Sequence, residues 1–277
     1  MAKSKKKFKI STIKDRKICS RLDDIATEEP LEIRLVSPEQ TLAITIRTPG
    51  ADFDLVAGFL YSEGVIYSRQ DIQKMSYCVD PQIDGEQRQN IINVALKSEL
   101  KPDLKRLERH FFMTSACGVC GKASIESLKL RKVPQISSNF QVTSEIIYRL
   151  SEQLKLSQGL FAVTGGLHAA ALFDEKGILL KLREDIGRHN AVDKLIGSSI
   201  LTDEFPLAHH IVMVSGRSSF EILQKCIVAG VPIVCAVSAP SSLAVEIAQA
   251  FNITLIGFLR NRRFNVYSGI ERIQHVS

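Results

Sequence analysis

The sequence predicts a mixed α/β protein, α+β overall, with a smaller β-rich module followed by an α/β domain. In the first hundred residues, strand-like alternation surrounds a single helical pattern, whereas buried apolar runs alternate with amphipathic helices after residue 141. The 277 residues are enough for one large or two modest domains. We divide the chain into a tail (1–24), a β-rich module (25–110), a connector (111–140) and an α/β domain (141–277).

In the N-terminal module, residues 31–36 and 42–46 alternate in polarity around Ser-Pro-Glu-Gln and predict a hairpin. Residues 52–63 carry apolar side chains at helical spacing, with Gly64 at the position of a C-cap. Residues 91–96 predict a further strand. These patterns indicate an antiparallel β module with one helix.

The connector is predicted to carry a loop, with a helix after it at 122–130. Beyond it, the alternation of strand and helix from 211 to 259 predicts a largely parallel sheet with helices on its faces. We expect helices at 144–156, 189–200, 219–229 and 242–251, and strands at 160–164, 169–173, 178–182, 211–215, 232–238, 253–259 and 264–267.

The positive charge of the chain is concentrated at its N-terminus. Residues 1–17 hold eight of the 36 Lys and Arg residues but one of the 30 Asp and Glu residues. This composition predicts a solvated, disordered basic tail, with attraction to nucleic acid or an acidic partner as the alternative. No apolar run is long enough for a bilayer and no secretory signal is visible, so we expect a cytoplasmic protein without membrane or specific nucleic-acid partners.

Two of the six cysteines, Cys117 and Cys120, form a Cys-x-x-Cys pair. Such a pair is half of a zinc site, a dithiol redox couple, or a reactive thiol with a helper. Zinc would require a second pair, which the sequence lacks, and a redox dithiol would follow an early strand. Neighbouring glycines and Lys122 favour a mobile loop with a thiolate. Cys226 and Cys235 lie in apolar runs and are expected in the core.

Four further motifs indicate a ligand that carries phosphate. Paired glycines between elements permit close approach of a ligand, although a nearby histidine can equally be a core residue. An ionisable cluster at a helix entrance and small residues with an arginine after a buried strand both suit an anion. Three arginines follow the last parallel strand. The residues that we single out are Gly165, Gly166, His168, Asp185, Arg188, His189, Ser215, Gly216, Arg217, Phe258, Leu259, Arg260, Asn261, Arg262 and Arg263.

Taken together and in order, these motifs resemble those of the formate dehydrogenase accessory sulfurtransferase family, known as FdhD. Many relatives have a glycine within the arginine-rich segment, where this chain has Asn261 and Arg262. The matching segments are Gly58–Gly64, Thr114–Gly121, Thr164–Ala170, Glu184–Lys194, Ser215–Ser219, Ala236–Pro240 and Gly257–Phe258 with the arginines that follow.

The resemblance implies a sulfurtransferase. Such a protein takes sulfur from a cysteine desulfurase, holds it as a persulfide on Cys117, with Cys120 as a helper, and passes it to the molybdenum bis(molybdopterin guanine dinucleotide) cofactor of formate dehydrogenase. The segment from Phe258 to Arg263 would contact that cofactor, which is a bound substrate that a guanine nucleotide can mimic. The resemblance also implies a homodimer and a three-layer C-terminal domain like that of cytidine deaminase.

Three rival functions are weighed against this one. A zinc deaminase would carry His-x-Glu before Pro-Cys-x-x-Cys, whereas His168 is followed by two alanines and the only Cys-x-x-Cys precedes it. A nucleotide-cofactor-binding chaperone would use the phosphate loops without sulfur chemistry. A zinc-stabilised scaffold would bind metal through Cys117 and Cys120.

Overall fold

The computed structural model describes residues 3–100, 133, 135–137 and 139–274. In its N-terminal part the elements are β1 (Lys5–Lys14), β2 (Lys17–Ala26), β3 (Glu29–Val36), β4 (Glu39–Arg47), α1 (Asp52–Glu63), β5 (Ile72–Tyr77), α2 (Gly85–Arg88) and β6 (Ile91–Leu96). After the connector they are β7 (Val142–Thr143), α3 (Ser144–Ser157), α4 (Gly159–Thr164), β8 (His168–Phe173), β9 (Leu179–Asp185), α5 (Arg188–Leu201), β10 (Ile211–Val214), α6 (Phe220–Val228), β11 (Ile233–Ala236), α7 (Ser242–Ala250), β12 (Thr254–Arg260), β13 (Arg263–Ser268) and β14 (Ile273–Gln274).

The basic N-terminus forms a β-hairpin, which corrects the expectation of a disordered tail over residues 1–24. Strands β1 and β2 pair antiparallel from Lys5 opposite Ala26 to Lys14 opposite Lys17. The lysines alternate with Phe8 and isoleucines, and this period of two favours a strand. The prediction of a disordered tail rested on the high positive charge of this segment and overlooked its alternation of lysine and apolar residues.

The N-terminal module is a four-stranded sheet in the order β4-β3-β6-β5, and α1 packs on it. The predicted hairpin, helix and strand are confirmed. The expectation of a purely antiparallel sheet is wrong because β3 and β6 pair in parallel. This pairing is possible because α1 and β5 lie between the two strands in sequence and provide the crossover connection.

The larger sheet has six strands in the order β13-β12-β11-β10-β8-β9. Strands β10, β11 and β12 are parallel, whereas β8 pairs antiparallel with β10 and β9. Strand β13 also runs antiparallel, next to β12. The expected largely parallel sheet is therefore a mixed one, because short connections join β8 to β9 and β12 to β13 as hairpins.

Successive residues of the buried strands face two separate cores. Val212 and Val214 of β10 pack in the core formed with α5, α6 and α7, while Ile211 and Met213 pack on the opposite face with α3. The domain therefore has three layers, helix–sheet–helix, and the α+β fold class is confirmed. Within the described residues, no helix combines the length and apolar character needed to cross a bilayer.

Residues 160–164 form helix α4, so the predicted strand at this position is wrong. A short apolar run does not distinguish strand from helix by its periodicity. Here the Glu184 carboxylate accepts hydrogen bonds from the Leu160 and Phe161 amides, at 3.0 and 2.8 Å, and satisfies the first turn of the helix. Gly165 ends the helix with a φ of 68°.

Helices α1 and α5 join the two parts of the molecule at a close crossing. A Cβ atom on Gly58 would lie 1.9 Å from the Asp193 carbonyl oxygen, and one on Gly197 would lie 1.8 Å from that of Asp54. The two glycines therefore permit backbone contact that no other residue would allow. This crossing fixes the N-terminal sheet against the entrance of α5, where the candidate site lies.

Candidate functional site

The predicted ligand loops meet at one edge of the six-stranded sheet. Val214 pairs with Ala170, and His168 pairs with Asp185. Because β8 runs antiparallel to β10, the start of β8 and the ends of β9, β10 and β11 reach the same edge. This is the edge at which open α/β sheets bind ligands.

His168, Arg188 and Gly216 come together at this edge, as the sequence predicted. A Cβ atom on Gly216 would lie 3.2 Å from His168 Nδ1 and 3.9 Å from Arg188 Cδ. Ser215 fixes the loop to β8, because its hydroxyl accepts a hydrogen bond from the Ala169 amide and its own amide donates to the Ala169 carbonyl, both at 2.9 Å. The lack of a side chain at Gly216 keeps the space between the histidine and the arginine open.

Two buried polar groups near this edge have no hydrogen-bond partner among the described residues. They are Arg188 Nε and the Ser218 hydroxyl, and Ser218 itself is fully buried. An unsatisfied buried polar group is unfavourable, and in native proteins such a group calls for a partner such as a water, an ion or a ligand. A guanidinium and a hydroxyl without partners suit phosphate oxygens.

The environment of His168 favours its neutral form. Burial, and then the neighbouring Arg188 and His189, lower the pKa of His168 below its ordinary value of 6.5. At neutral pH the positive charge at this edge therefore comes from the arginines, and His168 can exchange a hydrogen bond with a ligand without adding charge.

Asp185 is a buried residue that positions the loops of the site. Its side chain is fully buried and lies 2.7 Å from the Lys194 ammonium. Its oxygens also accept hydrogen bonds from the Thr48 amide at 3.1 Å, the Gly187 amide at 2.8 Å and the Asn190 side chain at 3.1 Å. Asp185 therefore holds the entrance of α5 against the end of β4. Because its carboxylate is buried among protein partners, it positions the site and is not exposed for direct contact with a ligand.

His189 points to a different side of the α5 entrance. Its Nε2 lies 3.3 Å from the Ser219 hydroxyl and 3.6 Å from the Glu221 carboxylate. The nearby His189 is the main reason that the pKa of Glu221 falls to about 2. The consecutive residues Arg188 and His189 thus face two distinct environments.

The arginine-rich segment forms the turn between β12 and β13. Asn261 and Arg262 both have φ in the left-handed region, at 50° and 55°, a backbone conformation that glycine adopts with less strain. Leu259 is fully buried in the core. Arg262 forms an ion pair with Glu145. Leu259 is therefore a core residue, whereas the ion pair of Arg262 lies on the surface.

Apart from Leu259, the members of this segment are at least partly accessible. Arg260, Asn261 and Arg263 are exposed, and Phe258 is partly buried. The Phe258 amide donates to the Ser238 carbonyl at 3.2 Å, so the base of the turn adjoins the loop that follows β11. All three arginines of this segment, including the ion-paired Arg262, are therefore accessible to solvent near the ligand edge.

Gly165 and Gly166 form an open approach to the edge. A Cβ atom on Gly165 would meet nothing within 4 Å, and one on Gly166 would meet only the Thr164 carbonyl at 3.9 Å. Arg217 is exposed on the loop between β10 and α6. These three residues leave room beside His168.

Several predictions lie outside the described residues. Cys117, Cys120 and the helix expected at 122–130 fall within residues 101–132. In the part of the chain that the structure describes, no group of three or more His, Cys, Asp or Glu side chains could hold a metal ion.

Some residues of the site were not singled out from the sequence. Ser218 lies within a motif that was recognised, but its burial has no sequence signal. Thr48 is 137 residues away from Asp185. Glu63 lies within the matching segment Gly58–Gly64 but was not singled out, and Glu221 has the sequence context of an ordinary surface residue.

The geometry defines a three-layer α/β protein in which basic and glycine-rich loops meet at one edge of the sheet. The matching family model covers residues 26–274 and is described as the FdhD/NarQ family. The chain belongs to this family.

Curated relatives match over nearly the whole chain. "Sulfur carrier protein FdhD" of Streptomyces coelicolor is 46% identical over 99% of this chain and 97% of that protein. The protein of the same name in Mycobacterium tuberculosis is 46% identical over 92% and 94%. That of Sulfurisphaera tokodaii is 45% identical over 97% and 98%.

A crystal structure supports the fold. It is described as that of a formate dehydrogenase accessory protein from Desulfotalea psychrophila, and it matches with a TM-score of 0.75. The similarity covers 98% of this chain and 99% of that one, at 24% sequence identity.

Proposed function

We propose that this protein is a cytoplasmic sulfurtransferase that carries sulfur during formate dehydrogenase maturation. It takes sulfur from a cysteine desulfurase and delivers it to the molybdenum bis(molybdopterin guanine dinucleotide) cofactor as substrate. The names of the curated relatives support the sulfur-carrier role. The observation that carries the cofactor step is the ligand edge, where Arg188 Nε and the Ser218 hydroxyl are buried without a partner among the described residues.

The sulfur chemistry is assigned to Cys117. Its thiolate attacks the outer sulfur of a desulfurase persulfide, forms a new S–S bond and displaces the desulfurase thiolate. Attack by the Cys120 thiol on the inner sulfur then releases hydrosulfide for the metal and leaves a Cys117–Cys120 disulfide, which a thiol reductant reopens. The other cysteines suit this role less well, because burial raises the pKa of the Cys226 thiol to about 12 and raises that of Cys235 as well.

The ligand edge supplies the contacts for the cofactor. Arg188 and Arg217 hold phosphate oxygens, together with Arg260 and Arg263 of the β12–β13 turn. The open space beside Gly216 admits the ligand. A guanine nucleotide such as GDP presents the same phosphate and base chemistry and serves as a probe of the edge.

Formate dehydrogenase activity in cells that lack the chromosomal gene tests this function. We expect the wild-type chain to restore activity and Cys117→Ala to leave it near background. Cys19→Ala is the matched control, because Cys19 is exposed on the N-terminal hairpin and should be dispensable. Full activity of Cys117→Ala would favour the cofactor-binding chaperone over the sulfur carrier.

We also propose that the protein is a homodimer that uses the β1–β2 hairpin. Five large apolar side chains on this hairpin are between 42% and 74% exposed, and Ile13 pairs directly with Ile18 at its tip. A two-stranded sheet with such exposure is marginally stable unless something covers it. Light scattering should show a dimer for the wild type and a monomer for Ile13→Ser/Ile18→Ser. Val79→Ser, at a residue that is 81% exposed elsewhere, should leave the mass unchanged.

A further inference from the structure

A cavity of about 350 Å³ lies between the N-terminal sheet and helices α1, α5 and α6. Cavities of this size are large enough for part of a drug-sized ligand. Its apolar wall includes Ile33, Ala43 and Leu55, which are buried in the N-terminal core. The residues that line its polar side include Glu63, His189, Glu221, Gln224 and Lys225.

The polar side of the cavity accepts hydrogen bonds more readily than it donates them. The Glu63 carboxylate lines the cavity and interacts electrostatically with the Lys225 ammonium. Glu221 is charged at working pH, because its pKa is about 2. The Lys225 ammonium is bound to both oxygens of Asp193 at 2.8 and 2.9 Å, so a single cation faces the carboxylates of Asp193, Glu63 and Glu221 and the cavity keeps an excess of negative charge. Phosphate is therefore disfavoured in the cavity, and a ring with N–H donors is favoured.

The cavity adjoins the anion-binding edge. Arg188 and His189 are consecutive at the start of α5, and His189 lines the cavity while Arg188 lies beside Gly216. Near the start of α6, the buried Ser218 hydroxyl lies on the side of the anion-binding edge, whereas Glu221 lines the cavity. A ligand with phosphate at one end and a donor-rich ring at the other would place each part beside residues of complementary charge.

We propose that this cavity recognises the nitrogen heterocycle of the nucleotide ligand, and that Glu63 accepts hydrogen bonds from an adjacent ring N–H and exocyclic amino group. Guanine and pterin rings carry this pair of donors, whereas adenine and hypoxanthine lack it. Phe59 and Leu55 supply apolar surface for the ring. This inference rests on the proposed function, because it assumes that the phosphates occupy the edge next to Arg188.

Isothermal titration calorimetry of the full chain with GDP and IDP tests the proposal. IDP lacks only the exocyclic amino group, so it leaves one carboxylate acceptor unpaired. We expect the wild type to bind GDP about tenfold more tightly than IDP. Glu63→Gln should weaken GDP binding about tenfold and reduce the ratio of the GDP and IDP affinities to near one. Glu152→Gln, which removes an exposed carboxylate from α3, should retain the wild-type preference.

A second variant separates this inference from the proposed function. Arg188→Gln should weaken GDP and IDP by the same factor and keep their ratio, because it alters the phosphate end only. Equal binding of GDP and IDP by the wild type, or an unchanged preference in Glu63→Gln, would overturn the ring-recognition site and leave the proposed function intact. Absence of binding by the wild type for both nucleotides would overturn the cofactor step itself and this inference with it.

Discussion

The Asp185 carboxylate and the Lys194 ammonium lie 2.7 Å apart, and both side chains are almost completely buried. Lys194 also donates to the Thr48 carbonyl at 2.8 Å, and the Thr48 amide donates to Asp185 at 3.1 Å. The pair therefore ties the end of β4 to the entrance of α5. Asp185 also accepts a hydrogen bond from the Gly187 amide, and Arg188, the next residue, takes its position from this arrangement.

Lys194→Met should destabilise the protein by about 3–5 kcal/mol, because it leaves the Asp185 charge buried without its partner. Urea unfolding followed by circular dichroism measures this change. Glu204→Gln removes one member of the more exposed Lys181–Glu204 pair and should cost less than about 1 kcal/mol. Equal effects of the two substitutions would contradict the anchoring role of the buried pair.

Gly58→Ala should destabilise the crossing of α1 and α5. The new methyl group would lie 1.9 Å from the Asp193 carbonyl oxygen, so the helices must separate at a cost of about 1–3 kcal/mol or more. The measurement is the midpoint of thermal unfolding. Gly159→Ala is the control, since a Cβ atom there meets nothing within 4 Å. An unchanged midpoint in Gly58→Ala would show that the helices do not approach as closely as described.

Ser218→Ala should be nearly neutral for the stability of the ligand-free protein, because the hydroxyl has no partner among the described residues. It should nevertheless weaken GDP binding, by about 1 kcal/mol for one lost hydrogen bond. Ser198→Ala provides the contrast, since that buried hydroxyl donates to the Leu195 carbonyl at 2.8 Å and its loss should destabilise by about 1 kcal/mol. Denaturation and calorimetry are carried out on both variants. If Ser218 were a purely structural residue, Ser218→Ala would lower the stability and leave GDP binding unchanged.

The lowered pKa of His168 makes stability depend on pH. The unfolded chain binds a proton at this residue more readily than the folded chain does, so its contribution is fully present above about pH 6.5 and declines as the pH falls through the folded value. Burial lowers the pKa of His210 in the same direction. His168→Gln should therefore reduce the loss of stability between about pH 7 and pH 5, and His168→Gln/His210→Gln should reduce it further. An unchanged pH profile in both variants would contradict this origin.

The elements with clear periodicity were predictable from the sequence. Residues 52–63 carry apolar side chains at helical spacing and a terminal glycine, and the structure places α1 at the same residues. Hairpin β1–β2 was not predicted, because the many lysines of this segment indicated disorder and its alternating polarity was overlooked. Helix α4 was missed because its capping carboxylate, Glu184, comes twenty residues after it ends.

The candidate site was predictable in its chemistry and less so in its geometry. His168, Arg188 and Gly216 converge because each follows or begins a strand at one sheet edge, which the order of motifs already indicated. The buried state of Asp185 depends on Thr48, a contact between distant residues that spacing does not reveal. The ion pair of Arg262 with Glu145 is equally non-local.

The most direct test of the account is the mass of the intact protein after incubation with a cysteine desulfurase and cysteine. Wild type, Cys117→Ala and the control Cys19→Ala are compared before and after addition of a thiol reductant. We expect a reducible gain of one sulfur atom on the wild type and on Cys19→Ala, and none on Cys117→Ala. The same gain on Cys117→Ala, or no gain on the wild type with an active desulfurase, would contradict it.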